Sequence, residues 1–308
     1  MMPYSRLAYS KSPCKFNSVR LSINKVKIHD YEGKTVKKSS SIVFIGAGRM
    51  ASAIAGGLVK NGISAETLKA FDVSAQSAKL FQAATGVQVH TDSPDKILAK
   101  ADIVIIAVKP QQIADALQGK SSLLKDKLII SIAAGVKIAT LKSITGGSRI
   151  VRVMPNTPAL IGQGISAYST AEKVSAQDIC ETERILGSVG SFCCVNESLM
   201  DAVTGLSGSG PAYVFDFIQS LADGGVHAGL PRDIALKLAA QTVAGAARMV
   251  LETGTHPAVL RDQVTSPGGT TIRGLAVLEE NSFRGAVAKA VTAAAARSAE
   301  LGMKNQEK

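Results

Sequence analysis

From Ser41 onward the chain alternates short apolar runs with longer stretches that mix small, apolar and polar residues. Ser41 to Ile45 (SIVFI) is β-branched and aromatic and leads straight into glycines, which predicts a buried strand. Ala51 to Val59 supplies the small and apolar residues of a helix packed on that strand. Leu68 to Phe71 predicts a second strand, and Ser74 to Ala84 a helix opened by a serine cap. Asp102 to Val108, Lys127 to Ile132 and Arg149 to Val153 are further runs of strand length, set between helix-like segments such as Gln111 to Leu117 and Lys137 to Leu141. Strands that are apolar throughout, rather than alternately, belong to a parallel sheet covered on both faces. The expected first domain, residues 41–200, is therefore α/β and doubly wound.

After about Met200 the β-branched runs cease. Ala212 to His227, Pro231 to Thr253 and Thr271 to Leu301 are alanine-rich stretches of helical propensity, so residues 201–308 are expected to form an all-helical second domain. Their apolar residues cover more than one helix face, and such helices must be buried on several sides. A domain of about 100 residues cannot achieve that alone, so a homodimer with a shared helical core is expected.

Composition narrows the classes further. The chain has 308 residues, enough for two cores, and its 46% hydrophobic content excludes a wholly disordered protein. Its net charge of +11 suggests nucleic acid until it is divided: residues 1–40 carry +7 and the rest only +4. With aromatics at 4% and no tryptophan there is little to stack on bases, so no nucleic-acid partner is expected. Cys14, Cys180, Cys193 and Cys194 include no CxxC pair and stand far from the histidines, which predicts neither a metal site nor a disulfide scaffold. Cys193 and Cys194 read as buried packing residues. The charge-free run Val153 to Ala171 is broken by Pro155, Pro158, Gly162 and Gly164, so it is no spanning helix, and no membrane partner is expected.

Residues 1–40 are basic and serine-rich, with no acid before Asp30 and no apolar stretch long enough for a secretory signal. Two readings follow: a solvated tail on a cytoplasmic protein, which is the leading expectation, or a transit peptide for the plastid or the mitochondrial matrix. Arg6 and Arg20 are the only arginines there, which weakens the mitochondrial reading.

Gly46, Gly48 and Ala51 form GxGxxA between the first strand and the first helix. In that pattern the first glycine permits the tight turn, the second lets the backbone approach a pyrophosphate, and the small third residue lets helix and strand pack closely. Amides at the helix start then hold the negative charge. Asp72 follows the second strand, 26 residues beyond Gly46, where an acid accepts hydrogen bonds from the ribose 2′-OH of NAD and repels the 2′-phosphate of NADP. A helix or turn cap for the Ser74 segment is the alternative role for it, so the cofactor expectation leans to NAD without settling on it.

Further stretches specify the family. FIGAGRM at Phe44 to Met50, AVKPQ at Ala107 to Gln111, RVMPNTP at Arg152 to Pro158, LSGSGPAYVF at Leu206 to Phe215 and TSPGGTT at Thr265 to Thr271 occur in this order. Together they resemble pyrroline-5-carboxylate reductase, over residues 41 to about 302. The resemblance implies a Rossmann-like domain, a helical domain that dimerises by interlocking, often a decamer of five dimers, and reduction of 1-pyrroline-5-carboxylate to L-proline by NADPH or NADH. It assigns the pyrophosphate to Ile45, Gly46, Ala47, Gly48, Arg49 and Met50, and the adenosine ribose to Asp72 and Ser93. It sets Ala107, Val108, Lys109 and Pro110, with Ile132, Ala133 and Ala134, beside the nicotinamide. Ser266, Gly268, Gly269 and Thr270 would receive the substrate, with Thr271 near the imine nitrogen as the catalytic hydroxyl.

The chemistry of the last loop agrees with that assignment. SPGGTT precedes an apolar helix, so its amides are donors at a positive helix end, suited to a small carboxylate. A plain helix start with Ser and Thr caps is the alternative. Lys109 reads as a cofactor or substrate contact or as a solvated strand end, and SGSGPAY as a pocket wall or a flexible loop. His227 and His256 read as C-terminal helix caps. A hydroxyacid dehydrogenase or general imine reductase shares the domain order, but SPGGTT offers no catalytic lysine or aspartate. A non-catalytic NAD(P)H sensor is the reading from outside enzymology.

Overall fold

The computed structural model describes residues 40–304. Eight strands form one sheet: β1 (Ile42–Ile45), β2 (Leu68–Phe71), β3 (Gln88–His90), β4 (Ile103–Ile106), β5 (Leu128–Ser131), β6 (Arg149–Met154), β7 (Gly164–Thr170) and β8 (Gly190–Cys194). Their spatial order is β3-β2-β1-β4-β5-β6-β7-β8. All neighbours run parallel except β6 and β7, which pair antiparallel.

Alternation of side chains along each strand supplies both cores. Ile42 and Phe44, Ile103 and Ile105, and Leu128 and Ile130 face one side, where they meet Ile54 and Leu58 of α1 (Arg49–Lys60), Phe81 of α2 (Ala75–Thr85) and Ile185 of a helix described below. Val43 and Ile45, Val104 and Ile106, and Ile129 face the other. There they meet Leu98 of α3 (Asp95–Ala99), Ile113 and Leu117 of α4 (Ile113–Leu117), Leu124 of α5 (Ser121–Leu124) and Leu141 of α6 (Ile138–Thr145). Burial on both faces is why these strands read as unbroken apolar runs. Ser74 caps α2 as expected, accepting from the Ser77 amide at 3.2 Å.

Ile185 belongs to α7 (Ala176–Gly187), which opens on a capping box between Ser175 and Asp178. Cys193 and Cys194 correct the sequence reading: β8 is the edge of the sheet, and both lie exposed on it. An edge strand has a neighbour on one side only, so its residues are covered less.

The helical remainder comprises α8 (Met200–Val203), a π-helical turn Thr204–Gly208, α9 (Gly210–His227), α10 (Arg232–Thr253), α11 (Pro257–Gln263), α12 (Thr270–Glu280) and α13 (Phe283–Lys304). Thr271 to Leu301 is thus two helices, because Ser282 adopts the left-handed φ of +54° and turns the chain between them. His256 is also corrected: it caps the N-terminus of α11, its Nδ1 accepting from the Ala258 amide at 3.2 Å. Packing does not divide the chain at one point near residue 200. One unit runs through Phe217 and resumes at Glu279, and the other is Ile218–Leu278. The first keeps α13 because that helix packs along α8 and the π-helical turn. The second has a small core of Ala222, Ala235 and Ala239 with Ile218 and Val226. Large apolar side chains on its helices stay open, Leu238 at 53% and Val277 at 56%. Among the described helices α10 is long and apolar enough to cross a membrane by length and composition.

Candidate functional site

At the C-terminal ends of the parallel strands, Phe71, Ile45, Ile106 and Ser131 stand side by side in register. β2 lies to one side of β1 and β4 to the other, so the chain leaves the sheet in opposite directions and opens a crevice between the loops. The loops after β1, β4 and β5 meet there.

Gly46 makes the turn after β1. Its φ is +101°, and its N–H donates to the Phe71 carbonyl at 2.8 Å. A methyl group on it would lie 2.8 Å from the Ala107 carbonyl carbon and oxygen, so no larger residue fits without moving the loop after β4. Gly48 is the N-cap of α1 and makes no side-chain cap hydrogen bond; a methyl group there would meet nothing within 4 Å. The first turn of α1 carries no acid. The space beside Gly48 is therefore open at the positive end of a helix, an arrangement that fits a dinucleotide pyrophosphate. Arg49 is exposed beside it and Met50 half-buried.

Asp72 serves the local structure in two ways. One carboxylate oxygen accepts from the Ser74 amide at 2.8 Å, the capping role open to it from sequence. The other accepts from the Ala47 amide at 2.8 Å, which ties the end of β2 to the glycine turn. Ser93 is exposed, and its Oγ accepts from the Asp95 amide at 3.3 Å ahead of α3.

Ala107 donates its N–H to the Ile45 carbonyl at 2.8 Å, continuing the β4 register into the loop. Val108 is half-buried, Lys109 is exposed, and Pro110 opens a short 3-10 turn. After β5, Ile132 donates to the Ile106 carbonyl at 3.0 Å, Ala133 is buried and Ala134 is exposed. The structure thus brings residues 45–50, 72, 107–110 and 132–134 to one end of the sheet.

The SPGGTT loop belongs to the Ile218–Leu278 unit. Gly269 donates to the Ser266 carbonyl at 3.1 Å, closing a turn that delivers the chain to α12. Thr270 opens that helix and is exposed, while Thr271 is half-buried. The first turn of α12 holds no acid, as an anion-receiving end requires.

One cluster was not read from the sequence. Arg152 of β6 is buried, its side chain 5% exposed, and donates to Glu197 Oε1 at 3.2 Å. Its second nitrogen lies 4.0 Å from Asp201 Oδ1. The signal was a charged residue in the middle of an apolar strand, which needs a partner.

Comparison with known proteins fits this arrangement. Residues 41–135 match a family profile described as NADP oxidoreductase coenzyme F420-dependent, and residues 197–301 match one described as pyrroline-5-carboxylate reductase dimerisation. The chain is 47% identical over 267 residues to pyrroline-5-carboxylate reductase of Arabidopsis thaliana, covering 86% of this chain and 96% of that one. Among solved structures it is similar to pyrroline-5-carboxylate reductase of Coxiella burnetii, with a TM-score of 0.80, 37% identity, and 86% and 99% of the two chains covered. The Plasmodium falciparum enzyme, solved with NADP bound, matches with a TM-score of 0.78, 36% identity, and 86% and 98% covered. On its fold, its strand-end loops and these likenesses, the chain belongs to the pyrroline-5-carboxylate reductase family.

Proposed function

We infer that the chain reduces 1-pyrroline-5-carboxylate to L-proline with NADPH or NADH, the last step of proline biosynthesis. The observation that carries this reading is the meeting of three strand-end loops beside the uncapped start of α1, in a chain of this family. The reduced nicotinamide supplies a hydride, and the protein's task is placement. In this reading the first-turn amides of α1 neutralise the pyrophosphate, and Ala107 to Pro110 with Ile132 to Ala134 border the nicotinamide. The SPGGTT amides hold the substrate carboxylate. The Thr271 hydroxyl orients the imine nitrogen. An imine is far more basic than a carbonyl oxygen, so the substrate arrives already protonated and the loop needs no stronger acid.

The exposed apolar faces of α10 and α12 support a homodimer, and the profile match over residues 197–301 places them within a dimerisation stretch. We read a partner subunit, not a bilayer, as their cover, and a decamer of five dimers as the further assembly. Sedimentation at assay concentration tests both. Residues 1–39 lie outside the described chain. A cytoplasmic location is our reading, and residues 1–40 fused to a fluorescent protein test it against plastid or matrix import. The central assay follows NADPH or NADH oxidation with pyrroline-5-carboxylate. Cofactor binding without turnover would turn the reading to a sensor.

A further inference from the structure

The loop between β5 and α6, residues 132–137, is held at its far end by Glu197, just ahead of α8, and in its middle by α13. At its far end the Ile138 amide donates to Glu197 Oε1 at 2.7 Å, the same oxygen that accepts from Arg152 at 3.2 Å. In its middle, Gly135 meets Gly302 of α13: a methyl group on Gly302 would lie 3.0 Å from the Gly135 carbonyl oxygen. That part of α13 is held in turn by Ser298, whose hydroxyl donates to Asp201 Oδ1 at 2.7 Å, and Asp201 flanks Arg152. One buried guanidinium thus organises two carboxylates, one of which fixes the loop directly and the other through α13.

We propose that Glu197, Asp201 and Ser298, organised by Arg152, are positioning residues that set the 132–137 loop for hydride transfer without touching cofactor or substrate. The proposal rests on the reading that Ile132 to Ala134 border the nicotinamide. Displacement of that loop by about an ångström is enough to lower the rate of the chemical step by one to two orders of magnitude. The pyrophosphate end, held by a different loop, keeps its affinity.

The test compares Glu197→Ala, Glu197→Gln, Ser298→Ala and Ala134→Val in the full-length enzyme. The readouts are kcat, KM for NADPH, and the isotope effect with NADPH deuterated at the transferred position. Glu197→Ala is expected to lower kcat about tenfold or more and to raise the isotope effect, with KM for NADPH within about twofold. Glu197→Gln keeps an oxygen acceptor for Ile138 and recovers most of the rate. Ser298→Ala, which removes a single hydroxyl, moves kcat and isotope effect the same way to a smaller extent, and decides the matter if Glu197→Ala does not fold. Wild-type kcat and isotope effect in Glu197→Ala and Ser298→Ala, with Ala134→Val impaired, would overturn the positioning role alone. A silent Ala134→Val would overturn the loop's place beside the nicotinamide, and the proposal with it.

Discussion

The carboxylate of Asp72 holds the amide of Ala47 at 2.8 Å, so the acid at the end of β2 is built into the glycine turn after β1. The same group also binds the Ser74 amide, and replacing it therefore alters more than the charge near a ribose. Asp72→Asn is expected to weaken both cofactors and to shift the ratio of kcat/KM towards NADPH about fivefold, or ~1 kcal/mol. A ratio unchanged within about twofold, with both affinities reduced, would leave Asp72 as a tie for the turn only.

Gly46 and Gly48 are two residues apart yet fail for different reasons. Gly46→Ala brings a methyl group against the Ala107 carbonyl at a φ of +101°, so it is expected to destabilise the folded chain by about 1–3 kcal/mol. Gly48→Val finds open space within the protein, so its melting temperature should stay within a few degrees while NADPH affinity falls at least about tenfold. Thermal denaturation and fluorescence titration of both variants separate the two effects.

Ser282 holds a left-handed conformation between α12 and α13. Glycine adopts it without the side-chain penalty, so Ser282→Gly should stabilise the protein by roughly 0.5–1 kcal/mol. Chemical denaturation measures this. A loss of stability would mean that the serine contributes more than its backbone costs.

The Ile218–Leu278 unit fully buries only a few alanines, while many of its leucines and valines, Leu238 and Val277 among them, stay open. Activity is therefore expected to fall on dilution together with the oligomer, and a charged residue at an open apolar position, as in Leu238→Glu, to shift the assembly towards monomer. Sedimentation at several concentrations, paired with rates, tests the link. A fully active monomer would refute it.

What was legible in the sequence was what burial on two faces makes uniform. β1 and β4 are legible because every residue is apolar whichever way it points, and β2, β5 and β6 because all but Lys69, Ser131, Arg149 and Arg152 are. β7 was missed because it buries hydroxyls: Ser166 and Ser169 lie inside, and Ser169 donates to the Val195 carbonyl at 2.8 Å. β3 has three residues, none fully buried, and gives no periodic signal. The break at Ser282 escaped notice because neither glycine nor proline marks it. The glycine loop was readable from spacing alone. The partners of Arg152 were not, since Glu197 and Asp201 lie 45 and 49 positions away and only packing brings them together.

The return of α13 to the first unit limits how this protein can be cut and recombined. A chimera joined once near residue 200 would replace Glu197's neighbours, Ser298 and Gly302 in a single exchange, giving β6 and the β5–α6 loop foreign partners. Exchanging Ile218–Leu278 through two junctions leaves Arg152, Glu197, Asp201 and Ser298 native to one another. The transferable cassette is therefore an insertion within the chain, and swaps between family members should respect both of its ends.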